Sequence, residues 1–419
     1  MREFNIALLT VGLLVLLVGL LSDRLRERSL LSETLVALAA GVALGPLGSG
    51  LLRPQGWGND MEIMEEVARL TLALSLISAA LRLPRGYLRG HWRAPAMMLG
   101  VVLPLMGLVV GTLGVALLGL PPLMAAILGF LAAPTDPVIA SAIVTGGAAR
   151  KNIPARLRQL LSAESGSNDG LAYPFVLLPI LLMRGPAEGA LEQWFVRVIL
   201  WEVIGAAALG ALIGLASGWL LRRARPGKLD EIHLTSVGAI AFVTLAGTKL
   251  LGTDGLFAVF LAGLALKATW GELAQTSETQ EALNRFFVLP VFVLLGLTLP
   301  WNDWVALGWP ALWLVIGTLL LRRLPAVLLL GRWIAPIQRS RDAALLGWFG
   351  PIGVGALFYA TLAVRETGSP LPWTLGSLLV VASVVAHGLS ATPFTRWFGA
   401  REESDRTSSP DIGVRGGQE

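Results

Sequence analysis

The sequence predicts an all-α polytopic membrane protein with thirteen transmembrane helices, an inverted repeat, and two discontinuous helices, the fifth and the twelfth, that cross. Three observations carry that expectation. The chain is 54% hydrophobic and only 15% charged, with mean hydropathy +0.69, whereas soluble domains carry about 25% charged residues. Apolar stretches near bilayer length recur from residue 4 to about residue 397. The loops between them alternate in basic content.

The spans fall near 4–21, 30–48, 62–81, 95–118, 122–145, 155–183, 194–221, 232–250, 253–270, 284–299, 304–323, 342–363 and 372–397. The first apolar run ends in "LLSDRLRER" without a small-residue cleavage site, so it reads as a retained span rather than a signal peptide. After odd-numbered spans come basic loops such as "SDRLRERS", "LRLPRGYLRGHWR", "GGAARKNIPARLR" and "RRARPGKLDE". After even-numbered spans come "LGLPP", "LGTDG", "PWNDW" and "RETGSP", with one basic residue or none. Basic loops stay cytoplasmic. The expected placement is therefore multi-pass in a cell inner (plasma) membrane, with the N-terminus outside and the C-terminus cytoplasmic. The polar, Gly/Ser-rich stretch 399–419 reads as a disordered cytoplasmic tail. A net charge of +5 is no sign of nucleic acid, because the Arg residues are spread over these loops. With no Cys, disulfides and thiol chemistry are excluded.

Two spans should be broken at mid-membrane. Span 5 contains "LAAPTDPVIAS", where Pro134 and Pro137 flank Thr135 and Asp136; each proline removes a backbone donor and crowds the preceding turn. Span 12 contains "GWFGPIGVGALFYA", which brings Gly350, Pro351, Gly353 and Gly355 together. The two are seven spans apart, so they run in opposite directions, and spans 4–6 and 11–13 form an inverted repeat. Matched breaks in two repeat halves point to the midplane binding site of a transporter. The bland alternative is that Gly and Pro are simply common in membrane helices.

Carboxylates at membrane depth are costly and are read as functional. Asp136 lies in the span 5 break, and "SAESGSNDG" places Glu164, Ser165, Asn168 and Asp169 on span 6. Four-residue spacing puts Ser165 and Asp169 on one face, and Glu164 and Asn168 on another. Span 11 ends in "LLLRRLPAV", with Arg322 and Arg323; read from spacing alone, Arg323 is a cytoplasmic anchor whose charged head reaches the interface.

"APTDPV", "ESGSNDG", "LLLRRLPAV", "GPIGVGA" and "SVVAHGL", in that order over about 4–397, resemble the monovalent cation/proton antiporter superfamily. The branch it resembles is that of the sodium/proton exchangers, NhaP-like antiporters included, and the Asn-Asp pair resembles its electroneutral members, since electrogenic relatives carry Asp-Asp there. The resemblance implies that Asp169 binds the cation or a proton, never both. Ser165 and the Thr135 carbonyl serve as further Na+ ligands, and Asp136 is held in place by Asn168. Glu164 is implied to be a structural carboxylate paired with an Arg of span 11, Arg323 by position and Arg322 as the fallback. Two departures stand out: Ile352 occupies a position that is often Arg in the family, and "LTLALSLISAA" in span 3 lacks an acid that some members carry.

Other candidates are weaker. His387 reads as a packing residue with one hydrogen bond, His91 and His233 as solvated, and Asp254 as turn chemistry. Trp57, Trp301, Trp304, Trp309 and Trp373 fall near outer span ends, as an interfacial belt would. There is no G-x-S-x-G elbow, no H-E-x-x-H and no Gly-rich phosphate loop, so no enzyme is expected, nor any cofactor beyond the transported ions. A channel would show repeated pore segments or charge rings. The nearest rival is a sodium-coupled symporter of a small organic anion with a similar inverted-repeat fold, which would be expected to have a more polar cavity. The expected protein is a homodimer among membrane lipids, exchanging Na+ (or Li+ or K+) for H+ by alternating access. Its organisation would be dimerisation helices 1–3 in residues 1–94, core helices 4–6 in 95–184, dimerisation helices 7–10 in 185–300 and core helices 11–13 in 301–398.

Overall fold

A computed structural model describes residues 2–28, 32–223, 229–270 and 276–408. Those residues form helices and connecting turns, with no strand among them. The first third comprises α1 (Arg2–Arg28), α2 (Glu33–Leu44), α3 (Asp60–Arg82), the short α4 (Tyr87–His91) and α5 (Arg93–Met97), and α6 (Leu103–Leu118). Next come α7 (Pro122–Leu131), α8 (Pro137–Val144), α9 (Gly146–Asn152), α10 (Ala155–Arg184), α11 (Ala187–Gln193), α12 (Ala206–Arg223) and α13 (Leu229–Leu250). The last third holds α14 (Gly255–Trp270), α15 (Thr276–Leu297), α16 (Trp301–Leu307), α17 (Trp309–Leu321), α18 (Leu324–Leu330), α19 (Ser340–Trp348), α20 (Val354–Thr367) and α21 (Leu371–Ser408). Two π-helical stretches, Met98–Val102 and Trp194–Gly205, join α5 to α6 and α11 to α12.

Small residues set the closest helix pairs, as expected where lipid supplies no hydrophobic drive between helices. α12 packs most extensively on α14. A Cβ on Gly210 or Gly214 would overlap the backbone of Ala258 or Ala262. The outer faces are apolar instead: Leu8, Leu9, Leu16 and Leu20 of α1 and Leu212 and Leu220 of α12 are exposed. Such a surface suits acyl chains and would be a liability in water.

By length and composition alone, four helical stretches among the described residues could cross a membrane: Arg93–Leu118, Ala187–Arg223, Trp309–Trp333 and Leu371–Ser404. The bent pair Asn284–Leu297 with Trp301–Leu307 makes five. This falls short of thirteen for a physical reason. Several of the remaining stretches are short or interrupted, and α10, though 30 residues long, carries Glu164, Asn168 and Asp169. The tail expectation needs correction: α21 runs on to Ser408, so 399–408 is helical, while 409–419 lies outside the described residues. The loop edge carrying His233 is helical, within α13.

Candidate ion-binding site

The prolines and glycines interrupt the chain where the sequence indicates. α7 stops at Leu131 and α8 begins at Pro137, where a missing N–H costs nothing because it falls at a helix start. α19 stops at Trp348 and α20 begins at Val354. The two breaks touch, with the Asp136 amide donating to the Pro351 carbonyl at 2.8 Å.

Asp136 serves both helix starts. Its Oδ1 accepts from the amides of Val138 at 2.6 Å and Ile139 at 3.2 Å, and its Oδ2 accepts from the Val354 amide. One carboxylate thus satisfies orphan donors of α8 and α20 at their partially positive ends. The approach requires Gly353, where a Cβ would overlap the Asp136 carboxylate.

Arg322 does the reverse at the helix ends. Its guanidinium donates to the carbonyls of Ala132, of Ala133 at 3.3 Å and of Pro134 at 3.4 Å, beyond α7, and to the Gly350 carbonyl beyond α19. A cation there complements the partially negative helix termini. Sequence reasoning assigned Arg322 only a fallback place beside Glu164. Ile352 brings no charge to the second break, and Arg322 brings a guanidinium there instead. The doubled "RR" was the available signal.

The adjacent Arg323 turns the other way. It meets Glu164 through two parallel contacts, one of them 2.8 Å between Nη2 and Oε2, and its Nε donates to the Leu346 carbonyl at 2.8 Å. Both side chains are fully buried. The Thr135 hydroxyl reaches Glu164 Oε1 at 3.4 Å and accepts from Asn168 Nδ2 at 2.6 Å. Asn168 therefore holds Thr135, not Asp136 as the resemblance implied. Asp136 is held by backbone amides, because the break already aims three of them at its two oxygens.

Asp169 differs from all of these. It is fully buried, and neither carboxylate oxygen has a hydrogen-bond partner among the described residues. α20 approaches so closely that a Cβ on Gly355 would overlap the carboxylate, and the Tyr359 hydroxyl donates to the Asp169 carbonyl. Ser165 shares this face, its hydroxyl donating to the Leu161 carbonyl at 2.7 Å, which leaves its lone pairs open. The structure thus gathers Glu164, Arg323, Thr135 and Asn168 into one network and sets Asp169 apart from it. His387 lies outside both: Nε2 contacts the Trp348 carbonyl and Nδ1 the Ser383 carbonyl, each at 2.9 Å, tying α21 to α19.

A cavity of about 670 Å³ opens between α8, α9 and α21 on one side and α2, α3 and α15 on the other. Pro137, Val138 and Ser75 line it, as do Lys151 and Arg396 from segments near the basic loops. It leads from that end of the bundle to the start of α8, beside Asp136.

Interrupted helices whose ends are capped by buried charges, next to an unpartnered buried carboxylate and a polar funnel, define an ion-coupled membrane transporter. Residues 12–397 match the family described as "Sodium/hydrogen exchanger, transmembrane", and the chain belongs to that family of transporters. It is 32% identical to Na(+)/H(+) antiporter 2 of Zygosaccharomyces rouxii, covering 92% of this chain and 52% of that one. It is 25% identical to K(+)/H(+) antiporter NhaP2 of Shewanella sp. MR-4, covering 92% and 66%. The chain spans about half the length of the first of these and of the probable Na(+)/H(+) antiporter C3A11.09 of Schizosaccharomyces pombe. Its fold is that of the sodium proton antiporter MjNhaP1 from Methanocaldococcus jannaschii, with TM-score 0.72, 18% identity and coverage of 95% and 98%.

Proposed function

We propose that this chain exchanges a monovalent cation, Na+ before Li+ or K+, for protons across a cell membrane. The observation that carries the reading is Asp169, a buried carboxylate without any donor, on the same helix as a Glu164 whose charge is fully matched. A lone buried charge is unfavourable unless something neutralises it. A proton or a dehydrated cation can each do so, and one carboxylate cannot hold both. Ser165 and the Thr135 carbonyl would complete the cation's oxygen shell. Asp136 shapes the site by holding the two breaks together, and Asn168 does so through Thr135.

Thirteen spans, with spans 5 and 12 crossing at their breaks, account for the elements and for the loop charges. In this arrangement α7 with α8 is span 5 and α19 with α20 is span 12. The funnel then faces the cytoplasm, and the structure corresponds to an inward-open state. Alternating access would come from core helices 4–6 and 11–13 moving against helices 1–3 and 7–10, the latter pairing in a homodimer. The N-terminus lies outside and the C-terminus inside. The test is transport in proteoliposomes with an imposed pH gradient and Na+, Li+ or K+ added in turn. Cation-dependent collapse of the gradient is expected, and a gradient indifferent to all three cations would refute the reading.

A further inference from the structure

A second pair of buried carboxylates lies toward the opposite end of the bundle from the funnel. Asp254 sits in the turn between α13 and α14 and is 7% exposed; Glu202 lies in the π-helical stretch before α12 and is 6% exposed. The two are joined through the backbone, the Asp254 amide donating to the Glu202 carbonyl at 2.8 Å. Turn chemistry explains one oxygen of Asp254: Oδ1 accepts from the Leu256 amide at 3.0 Å and caps α14. Arg197 explains one oxygen of Glu202, its Nε donating to Oε1 at 3.0 Å. The second oxygens, Asp254 Oδ2 and Glu202 Oε2, are buried and have no hydrogen-bond partner among the described residues.

Arg197 pairs with Glu202 at 3.0 Å, and no such ion pair reaches Asp254 among the described residues. Arg197 has 65% of its side chain exposed, and Lys249 is exposed as well, so both cations sit at the rim. Inward, the neighbouring titratable groups are the phenol of Tyr173, which hydrogen-bonds the Glu202 side chain, the phenol of Tyr359, and then Asp169 itself. The path between is short. A Cβ on Gly170 would overlap the backbone of Phe257, so α14 touches α10 one residue past Asp169 and one turn past Asp254. Tyr359 bridges the same gap by donating to the Asp169 carbonyl. Trp194 and Trp201 fix the π stretch, donating to the carbonyls of Pro174 at 2.7 Å and Leu251 at 3.1 Å. π-helical turns recur at functional sites because they re-aim side chains. The funnel lining includes none of these residues.

We propose that Asp254 and Glu202 form a second binding station for a monovalent cation, between Asp169 and the face bearing the sparsely basic loops. Two buried carboxylate oxygens that lack donors among the described residues are what a partly dehydrated Na+ would meet before Asp169. The station rests on the exchange reading and on its orientation, in which this face is the outer one.

Its test uses the full chain in right-side-out and everted membrane vesicles, with Na+ alone as the probe. Asp254→Asn keeps an acceptor for the Leu256 amide, and Glu202→Gln keeps one for Arg197, so each variant removes charge while preserving its cap or tether. Each should raise the Na+ concentration for half-maximal exchange at the outer face by fivefold or more. The value at the cytoplasmic face should change by less than twofold. Equal shifts on both faces, a shift confined to the cytoplasmic face, or no shift in either variant would overturn the station. Where Asp254→Asn fails to accumulate in the membrane, Glu202→Gln decides alone. Wild type that moves no Na+ would remove the exchange reading and this station with it; wild type that exchanges while both variants match it removes the station alone.

Discussion

Glu164 and Asp169 lie five residues apart on α10, both inside the protein, and their surroundings are opposite. Glu164 has a guanidinium across both oxygens and a hydroxyl at one of them. Asp169 has no donor on either oxygen among the described residues. On the proposed reading, burial is not what separates a structural carboxylate from a transporting one; permanent pairing is. A charge matched by a fixed Arg cannot release its partner on each cycle, whereas one matched by nothing fixed is available to a mobile ion. The same division of labour holds at the breaks, where Asp136 and Arg322 bind backbone only and so have fixed partners.

The sharpest way to break this comparison is to neutralise each carboxylate in turn. Asp169→Asn should reduce exchange below detection in proteoliposomes. Its thermal stability in detergent should hold or rise, because an unpaired buried charge has been removed. Exchange near the wild-type rate in Asp169→Asn would end the comparison. Glu164→Gln should instead lower stability, since it strands Arg323.

Next in size is the pair itself. Removing one partner of a buried ion pair costs about 3–5 kcal/mol, so Arg323→Ala should show a clear fall in melting temperature. Combining it with Glu164→Gln should recover part of that loss. Strictly additive losses would show that Arg323 acts through the Leu346 carbonyl and packing rather than through Glu164.

The breaks and the acids were legible in the sequence because proline and glycine have local consequences and because a carboxylate in an apolar run stands out. Partners were less so. Helix-face spacing put Ser165 with Asp169 and Glu164 with Asn168, but spacing gives a direction, not the group met there, and Asn168 meets Thr135 rather than Asp136. Arg322 and Arg323 are chemically identical neighbours. Only the end of α17 at Leu321 and the start of α18 at Leu324 send one to the two helix ends and the other to Glu164. Asp254 read as a turn residue because that accounts for one of its oxygens; the orphaned second oxygen depends on Glu202, 52 positions upstream, and no local pattern encodes it. The helical continuation of α21 to Ser408 was hidden by a polar composition, yet Glu402 there pairs with Arg341 of α19.

Competition between proton and cation sharpens the comparison from the other side. If Asp169 takes either one, acidification raises its proton occupancy, so the apparent KM for Na+ should rise as pH falls. The limit is about tenfold per pH unit, the change in proton activity, while the maximal rate changes less. Glu164→Gln variants that still fold should keep this slope. A KM independent of pH across the range in which the rate changes would place proton and cation at separate sites.

The smallest expected effect is none at all, and it concerns voltage. If Asp169 alone exchanges partners, each cycle carries one positive charge in each direction, the cation one way and a proton the other. Asp136 should keep one protonation state throughout, because its partners in α8 and α20 are backbone amides that only donate, leaving no acceptor for a carboxylic proton. Asn168 cannot titrate. Net charge per cycle is then zero. A membrane potential is worth about 2.3 kcal/mol per elementary charge per 100 mV, so a single uncompensated charge would move the equilibrium gradient well beyond measurement error. Vesicles clamped at different potentials with K+ and valinomycin should therefore show the same Na+ gradient at which flux reverses. A reversal point that tracks voltage would mean that a second group titrates in each cycle. Asp136→Asn would identify that group only if it still transports. Because Asp136 also joins the two breaks, Asp254→Asn is the cleaner first variant to compare: restored voltage independence there would make Asp254, not Asp136, the second proton carrier.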